Sequence, residues 1–355
     1  MASLEKAIQS IGLLDQKAMK AARERQDSLT KPLGSLGRLE ELSIRVAAIR
    51  GEAMPRLEHK AIIVMAADHG VVAEGVSLYP QEVTPQMVRN FLNGGAGINV
   101  LARQVGARVV VVDMGVAATL EPHPCLVSKK VALGTGNMRR GPAMTREQAL
   151  TAVDAGLEVV ERELEKGLDI IGTGDMGIGN TTASSAITAA IVGEPVARVT
   201  GRGTGIGDRQ LAHKVMVIEE VLKLNQPDAK DGLDVLTKVG GFEIGGLVGV
   251  MIGAAAHRIP IVIDGFVSGA AALIATRMAP QLRDFLIAAH VSAERGHRVV
   301  LKHLGLKPLL DLEMRLGEGT GAALAIFVVE AAVKALAEMA SFAEAGVSQA
   351  ERKAE

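Results

Sequence analysis

The sequence predicts an α/β protein: a doubly wound, mainly parallel sheet with a smaller helical lobe built from both chain termini. Three observations predict it. Short apolar runs recur at 61–70 (AIIVMAADHG), 107–116 (ARVVVVDMGV), 168–175 (LDIIGTGD), 259–266 (IPIVIDGF) and 285–292 (FLIAAHVS). Helical stretches such as 85–104, 145–166 and 208–224 separate them. A strand covered on both faces reads as a continuous apolar run, and its alternation with helices implies parallel crossovers. The two chain ends carry helical periodicity outside that alternation.

In chain order, residues 4–24 read as one amphipathic helix. Pro32, Gly34 and Gly37 then break the pattern, and a second helix starts near Leu39. The strand–helix alternation follows from about 60 to 320. The stretch 319–345 reads as one long helix. The expected division is therefore 1–58 plus 325–355 as the small helical lobe, whose two ends pack on each other. Residues 59–324 are expected to form a Rossmann-like nucleotide-binding and catalytic domain.

Composition narrows the class. The 355 residues are 48% hydrophobic and 22% charged with net charge −1, so no basic face for nucleic acid is implied. Aromatic residues make up 2%, with no Trp and one Tyr, which leaves no stacking platform for single strands. Cys125 is the only cysteine, so no internal disulfide and no cysteine-based zinc site is expected. The N-terminal helix carries charges among its apolar positions, unlike a signal peptide. No uninterrupted apolar run approaches membrane-spanning length with suitable flanks. The expected location is the cytoplasm, and no membrane partner is expected.

In open parallel sheets, ligands sit beyond the carboxyl ends of the strands. Asp68, His69, Asp113, Asp175, Asp264 and His290 fall at those ends. Each alone reads equally as a helix cap; their gathering at one sheet edge favours a site. The stretch DIIGTGDMGIGNTTASSAI at 169–187 is more specific. Gly172, Gly174, Gly177 and Gly179 surround Asp175, and Asn180, Thr181 and Thr182 open a helix. Such a turn offers backbone N–H groups and a positive dipole end to a phosphate. No Gly-Lys-Ser/Thr follows, so it is not a Walker loop. GTGDMG fits the dinucleotide pattern only in its glycines, in mid-chain and without the acidic strand end. Further glycine clusters at 201–208 (GRGTGIGD) and 240–246 (GGFEIGG) suggest a mononucleotide; tight helix–strand packing is the plainer reading of the same glycines. The phosphate is expected on backbone N–H groups of 176–182, with help from 202–207, Gly203 and Gly205 included. Lys214 is a secondary candidate that reads equally as a surface lysine. Glu318, bare between Gly317 and Gly319, suits a group meant to touch a ligand.

Together, LTKPLGSLGRLE, AADHGVVAEGVSLYPQEVT, GTGDMGIGNTT, DGLDVLTKVGGFEIGGLVGVMIGAA, IVIDGF, HVSAERGH and MRLGEGTGAALA resemble the nicotinate-nucleotide:dimethylbenzimidazole phosphoribosyltransferase family. The resemblance runs from about residue 28 to 340. It implies transfer of ribosyl phosphate from nicotinate mononucleotide to dimethylbenzimidazole or a related base, giving α-ribazole phosphate and nicotinate for the lower ligand of cobalamin. It also implies a homodimer with the active site near the dimer interface, and no metal or other cofactor. Glu318 stands at the family's general base. Asp175 stands where the compared family member carries Glu, one methylene longer, and is expected on the ribose side. Tyr79, Gln81, Gln86 and Met87 are the expected acceptor contacts, and Asp264 a further substrate contact. Because a β-nucleotide would become an α-nucleotide, one inverting displacement is the simplest course. The competing readings are a non-catalytic nucleotide-binding regulatory module, with no need for Glu318, and a dehydrogenase binding NAD.

Overall fold

The computed structural model describes residues 4–348; the expectations for 1–3 and 349–355 lie outside them. The chain divides into two compact units. One takes the residues up to Gly12 plus His59–Ile326, the other Leu13–Glu58 plus the chain from Phe327 on.

The larger unit is built on six strands: β1 Lys60–Ala67, β2 Ala107–Gly115, β3 Leu126–Ser128, β4 Ile170–Met176, β5 Ile261–Ile263 and β6 Leu286–Ala288. All pair in parallel, in the order β3-β2-β1-β4-β5-β6. β1 is buried along its whole length, as a strand covered by helices on both faces must be. The winding reverses between β1 and β4, where Met65 stands opposite Asp175. That reversal opens a crevice at the strand ends, the usual ligand position in such sheets. β3 escapes the sequence reading because three residues at a sheet edge leave no apolar run.

Local chemistry divides helices that periodicity alone merges. Asp15 accepts the Ala18 N–H and starts a new helix, so 4–24 becomes Leu4–Ser10 and Gln16–Ser28. Gly94 and Gly95 interrupt 85–104, giving Val83–Leu92 and Gly97–Gln104. A Ser341–Glu344 capping box closes the last long pattern, so 319–345 becomes Thr320–Glu338 and Phe342–Ala345.

The smaller unit holds Gln16–Ser28, Arg38–Arg50 and the C-terminal segment. Ala22, Ala47 and Leu336 share its core. Leu29 bridges Ser341, and Arg25 pairs with Glu344 at 3.1 Å. The expected lobe boundary shifts at its N-terminal side. Leu4–Ser10 belongs to the larger unit, where it packs on the helix Phe242–Ala256 and accepts a bond from Gln281 Nε2 on the Ile8 carbonyl at 3.3 Å.

Among the described helices, Thr320–Glu338 is long and apolar enough by length and composition to cross a membrane, although Glu330 and Lys334 interrupt its apolar run. Yet 56% of its apolar window is buried inside the protein, as in the core helix of a globular domain.

Candidate active site

Beyond the ends of β1, β4, β5 and β6 lies a cavity of about 530 Å³, lined by six short segments of the larger unit. Asp175, the last residue but one of β4, and Glu318 face it together. A Cβ at Gly174 would stand 2.4 Å from the Glu318 carbonyl oxygen, so only glycine there lets the two segments close on each other. Gly317, Glu318 and Gly319 all take left-handed backbone, with φ of 79°, 64° and 89°. For glutamate that conformation is strained, and such strain survives where surrounding contacts impose it. Asp264 imposes it here: its carboxylate accepts the Gly319 N–H at 3.3 Å and the Ala322 N–H at 2.9 Å. Asp264 was expected as a substrate contact; in the structure its carboxylate is engaged by these backbone N–H groups. It is 1% exposed and caps the helix Thr320–Glu338, fixing the turn that carries Glu318.

The carboxylates alter one another. Burial raises the Glu318 pKa against the Ile98 N–H that bonds its Oε2 at 3.2 Å. Burial, then the neighbouring charges of Asp264, Glu243 and Glu318, push Asp175 well above the usual carboxylate range, although Asn180 Nδ2 donates to it at 2.9 Å. Burial lifts Asp264 to about 7, opposed by the backbone N–H groups it caps. Crowding of buried acids at one strand edge is an arrangement that stable cores avoid and functional sites favour.

On the donor side, the helix Asn180–Val192 begins beside the turn Gly177–Gly179. Not every N–H expected there is available. Ile178 donates to Thr84 Oγ1, Asn180 to the Gly177 carbonyl and Thr182 to the Gly179 carbonyl. Gly177, Gly179 and Thr181 remain for a ligand. In the second cluster, Gly203 donates to Glu294 Oε1 at 2.9 Å, and Gly205 and Ile206 donate to the Arg202 carbonyl. Lys214 is not a surface lysine. It is 1% exposed and donates from Nζ to Thr181 Oγ1 at 2.7 Å, which brings its charge to the edge of both turns. Burial lowers its pKa to about 8, opposed by the Glu294 charge.

Of the residues read from sequence, Glu318, Asp175, Tyr79, Met87, Gly177, Gly179, Asn180, Thr181 and Gly203 line the cavity. Gln81, Gln86, Thr182, Gly205 and Asp264 lie outside its wall. Gln86 points to solvent and Thr182 is fully buried. Asp68, His69 and Asp113 brace the strand ends instead. Asp68 Oδ2 accepts the Ala117 N–H, His69 pairs with Glu243 at 2.6 Å, and Asp113 pairs with Lys130 at 3.0 Å. His290 does line the cavity, joined by Ser292, Glu294, Arg315 and Phe266, which sequence reasoning did not single out. All four stand inside motifs already marked, IVIDGF, HVSAERGH and MRLGEG, but only tertiary folding shows which members turn inward. No group of three or more His, Cys, Asp or Glu side chains among the described residues is placed to hold a metal ion.

A turn with open N–H groups beside a buried lysine, raised carboxylates next to it, and an apolar wall of Val83, Met87 and Phe266 opposite suit glycosyl transfer from a phosphorylated sugar. Comparison with known proteins makes the class particular. A family model described as phosphoribosyltransferase matches residues 11–347. A nicotinate-nucleotide–dimethylbenzimidazole phosphoribosyltransferase of Desulforudis audaxviator is 64% identical over 98% of both chains. Its counterpart from Chloroflexus aggregans is 62% identical over 98% of this chain and 99% of its own. The crystal structure of the enzyme of that name from Thermus thermophilus superposes with a TM-score of 0.90 at 48% identity, covering 95% of this chain and all of that one. The chain belongs to the nicotinate-nucleotide:dimethylbenzimidazole phosphoribosyltransferase family, and is a pentosyltransferase.

Proposed function

We propose that this cavity transfers ribosyl phosphate from nicotinate mononucleotide to dimethylbenzimidazole or a related base, with Glu318 as general base. One observation carries the assignment of roles. A buried glutamate with a raised pKa is held on a strained turn between the donor cradle and the apolar wall.

The donor phosphate sits against Gly177, Gly179 and Thr181, with Lys214 supplying charge. The acceptor lies along Tyr79, Val83 and Met87. As one benzimidazole nitrogen attacks C1′, the bond to nicotinate breaks and its electron pair returns to the pyridine ring. Nicotinate thus leaves a cationic linkage as a neutral ring nitrogen and needs no proton. The acceptor's other nitrogen gives its N–H proton to a Glu318 carboxylate oxygen. A raised pKa makes that carboxylate the stronger base. Asp175, fixed by Asn180, faces positive charge developing on the ribose. Inversion at C1′ follows from attack opposite the leaving ring, and positioning supplies much of the rate.

The product nucleotide would feed assembly of the cobalamin nucleotide loop. We further propose a cytoplasmic homodimer; Tyr79 and Leu316, at 54% and 60% exposed on the cavity wall, support a partner surface at its mouth. The Rossmann-like character of the larger unit rests on its strand order and switch point.

The test is direct. Protein mixed with nicotinate mononucleotide and dimethylbenzimidazole should release nicotinate and form the α-nucleotide. Tight nucleotide binding with no release would return the chain to the non-catalytic module.

A further inference from the structure

Thr84 stands in the first turn of the helix Val83–Leu92, whose residues Val83 and Met87 line the acceptor side of the cavity. Its side chain is fully buried, and its Oγ1 accepts the Ile178 N–H at 3.1 Å. Ile178 is the middle residue of the donor turn Gly177–Gly179. Helical spacing puts Thr84, Met87 and Val88 on one face. The helix that presents Met87 is therefore fastened to the turn that presents phosphate-binding N–H groups.

A second tie runs nearby. Thr204 Oγ1, on the other glycine turn, accepts the Leu78 N–H at 3.1 Å and lies 3.4 Å from Ser77 Oγ, which accepts the Tyr79 N–H at 3.2 Å. Two threonine hydroxyls thus join the segment 77–87 to the two donor turns. A buried N–H that loses its only acceptor is costly, so Ile178 and the helix move together.

We propose that Thr84 is a positioning residue that couples the two substrates: phosphate on the donor turn sets the acceptor wall, and the acceptor binds better once it is there. The coupling is reciprocal by linkage. The proposal rests on the placement of donor and acceptor given above.

The chain has no Trp and one Tyr, so dimethylbenzimidazole binding can be followed by the ligand's own fluorescence. Its affinity is measured with and without saturating inorganic phosphate for wild type, Thr84→Val and Thr84→Ser. Phosphate should tighten wild-type binding about fivefold, at the lower end of ordinary coupling. Serine should keep that factor, and valine, which matches threonine in shape but accepts no bond, should lose it. In steady state Thr84→Val should raise the acceptor KM about fivefold, the size of one net hydrogen bond, with kcat nearly unchanged. Should Thr84→Val not fold, Thr204→Val takes its place: loss of part of the phosphate effect supports the coupling, and its full retention overturns it. The proposal also fails if phosphate leaves the wild-type affinity unchanged, if serine loses the effect as valine does, or if valine keeps it. Failure of the proposed reaction is separate, because wild-type protein would then release no nicotinate.

Discussion

At the residue scale, Glu318 concentrates the proposed chemistry. Its place between two glycines was legible in the sequence. In the structure the protein itself buries it, and burial raises its pKa. Removing a general base typically lowers turnover about 10² to 10⁴-fold. Glu318→Gln, which keeps size but cannot take the proton, should fall in that range at saturating substrates, and turnover within about threefold of wild type would remove the role. The pH profile supplies a second check. Glu318 must be ionised to act, so the acid limb of kcat should lie above the ordinary glutamate range and disappear in Glu318→Gln. In the proposed role Lys214, lowered to about 8 by burial, binds phosphate as a cation. The donor KM should therefore rise as pH passes upward through about 8, and Lys214→Met should flatten that rise. A donor KM that is level across this window in wild type would place the phosphate elsewhere.

At the element scale, the turn that carries Glu318 depends on Asp264 rather than on its own sequence. Three consecutive left-handed residues are held because one buried carboxylate takes the N–H groups of Gly319 and Ala322. Asp264→Ala leaves both without an acceptor, at about 0.5–2 kcal/mol by analogy with lost helix caps. Its larger effect should be on kcat, because Glu318 is no longer fixed in place. Asp264→Asn retains one acceptor oxygen and should fall between the alanine variant and wild type. Equal turnover in all three proteins would show that the turn holds itself. This division also marks what sequence could supply. The strand runs, their parallel order of winding and the gathering of polar residues at one edge follow from local pattern, so they were readable. The partner of each polar residue was not. Asp264 and His290 both follow short apolar strands, yet one turns into a helix cap and the other onto the cavity wall. Lys214 read equally as a phosphate contact or a solvated lysine, because amphipathic spacing says nothing of the Thr181 hydroxyl 33 positions away. The three-residue β3 and the split of 4–24 at Asp15 escaped for the converse reason, since a single cap or edge pairing outweighs a weak periodic signal.

At the scale of the larger unit, function and stability should oppose each other. Asp175, Asp264 and Glu318 all have folded-state pKa values above their ordinary ones, chiefly through burial and mutual repulsion. An acid whose pKa rises on folding binds its proton more tightly in the folded state. Its favourable contribution is complete below the ordinary carboxylate pKa and is lost as pH climbs through the folded value. For Asp264 that window ends near 7, so the unit should lose stability between about pH 4 and pH 7 from this cluster. Asp175→Asn removes one of the repelling charges and keeps an oxygen for the Asn180 amide. It should melt higher than wild type at pH 8, and the gain should shrink toward pH 5, where the wild-type cluster is increasingly protonated. A net change of about 1 kcal/mol would appear as roughly 2–4 °C in a domain of this size. The same variant should use the ribosyl donor poorly, because the charge that strains the cluster is the charge a developing oxocarbenium needs. Melting curves at the two pH values decide the point. A variant that melts lower than wild type at pH 8 would mean that Asp175 is held for packing or hydrogen bonding, and that the crowded acids carry no stored repulsion for the substrate to relieve.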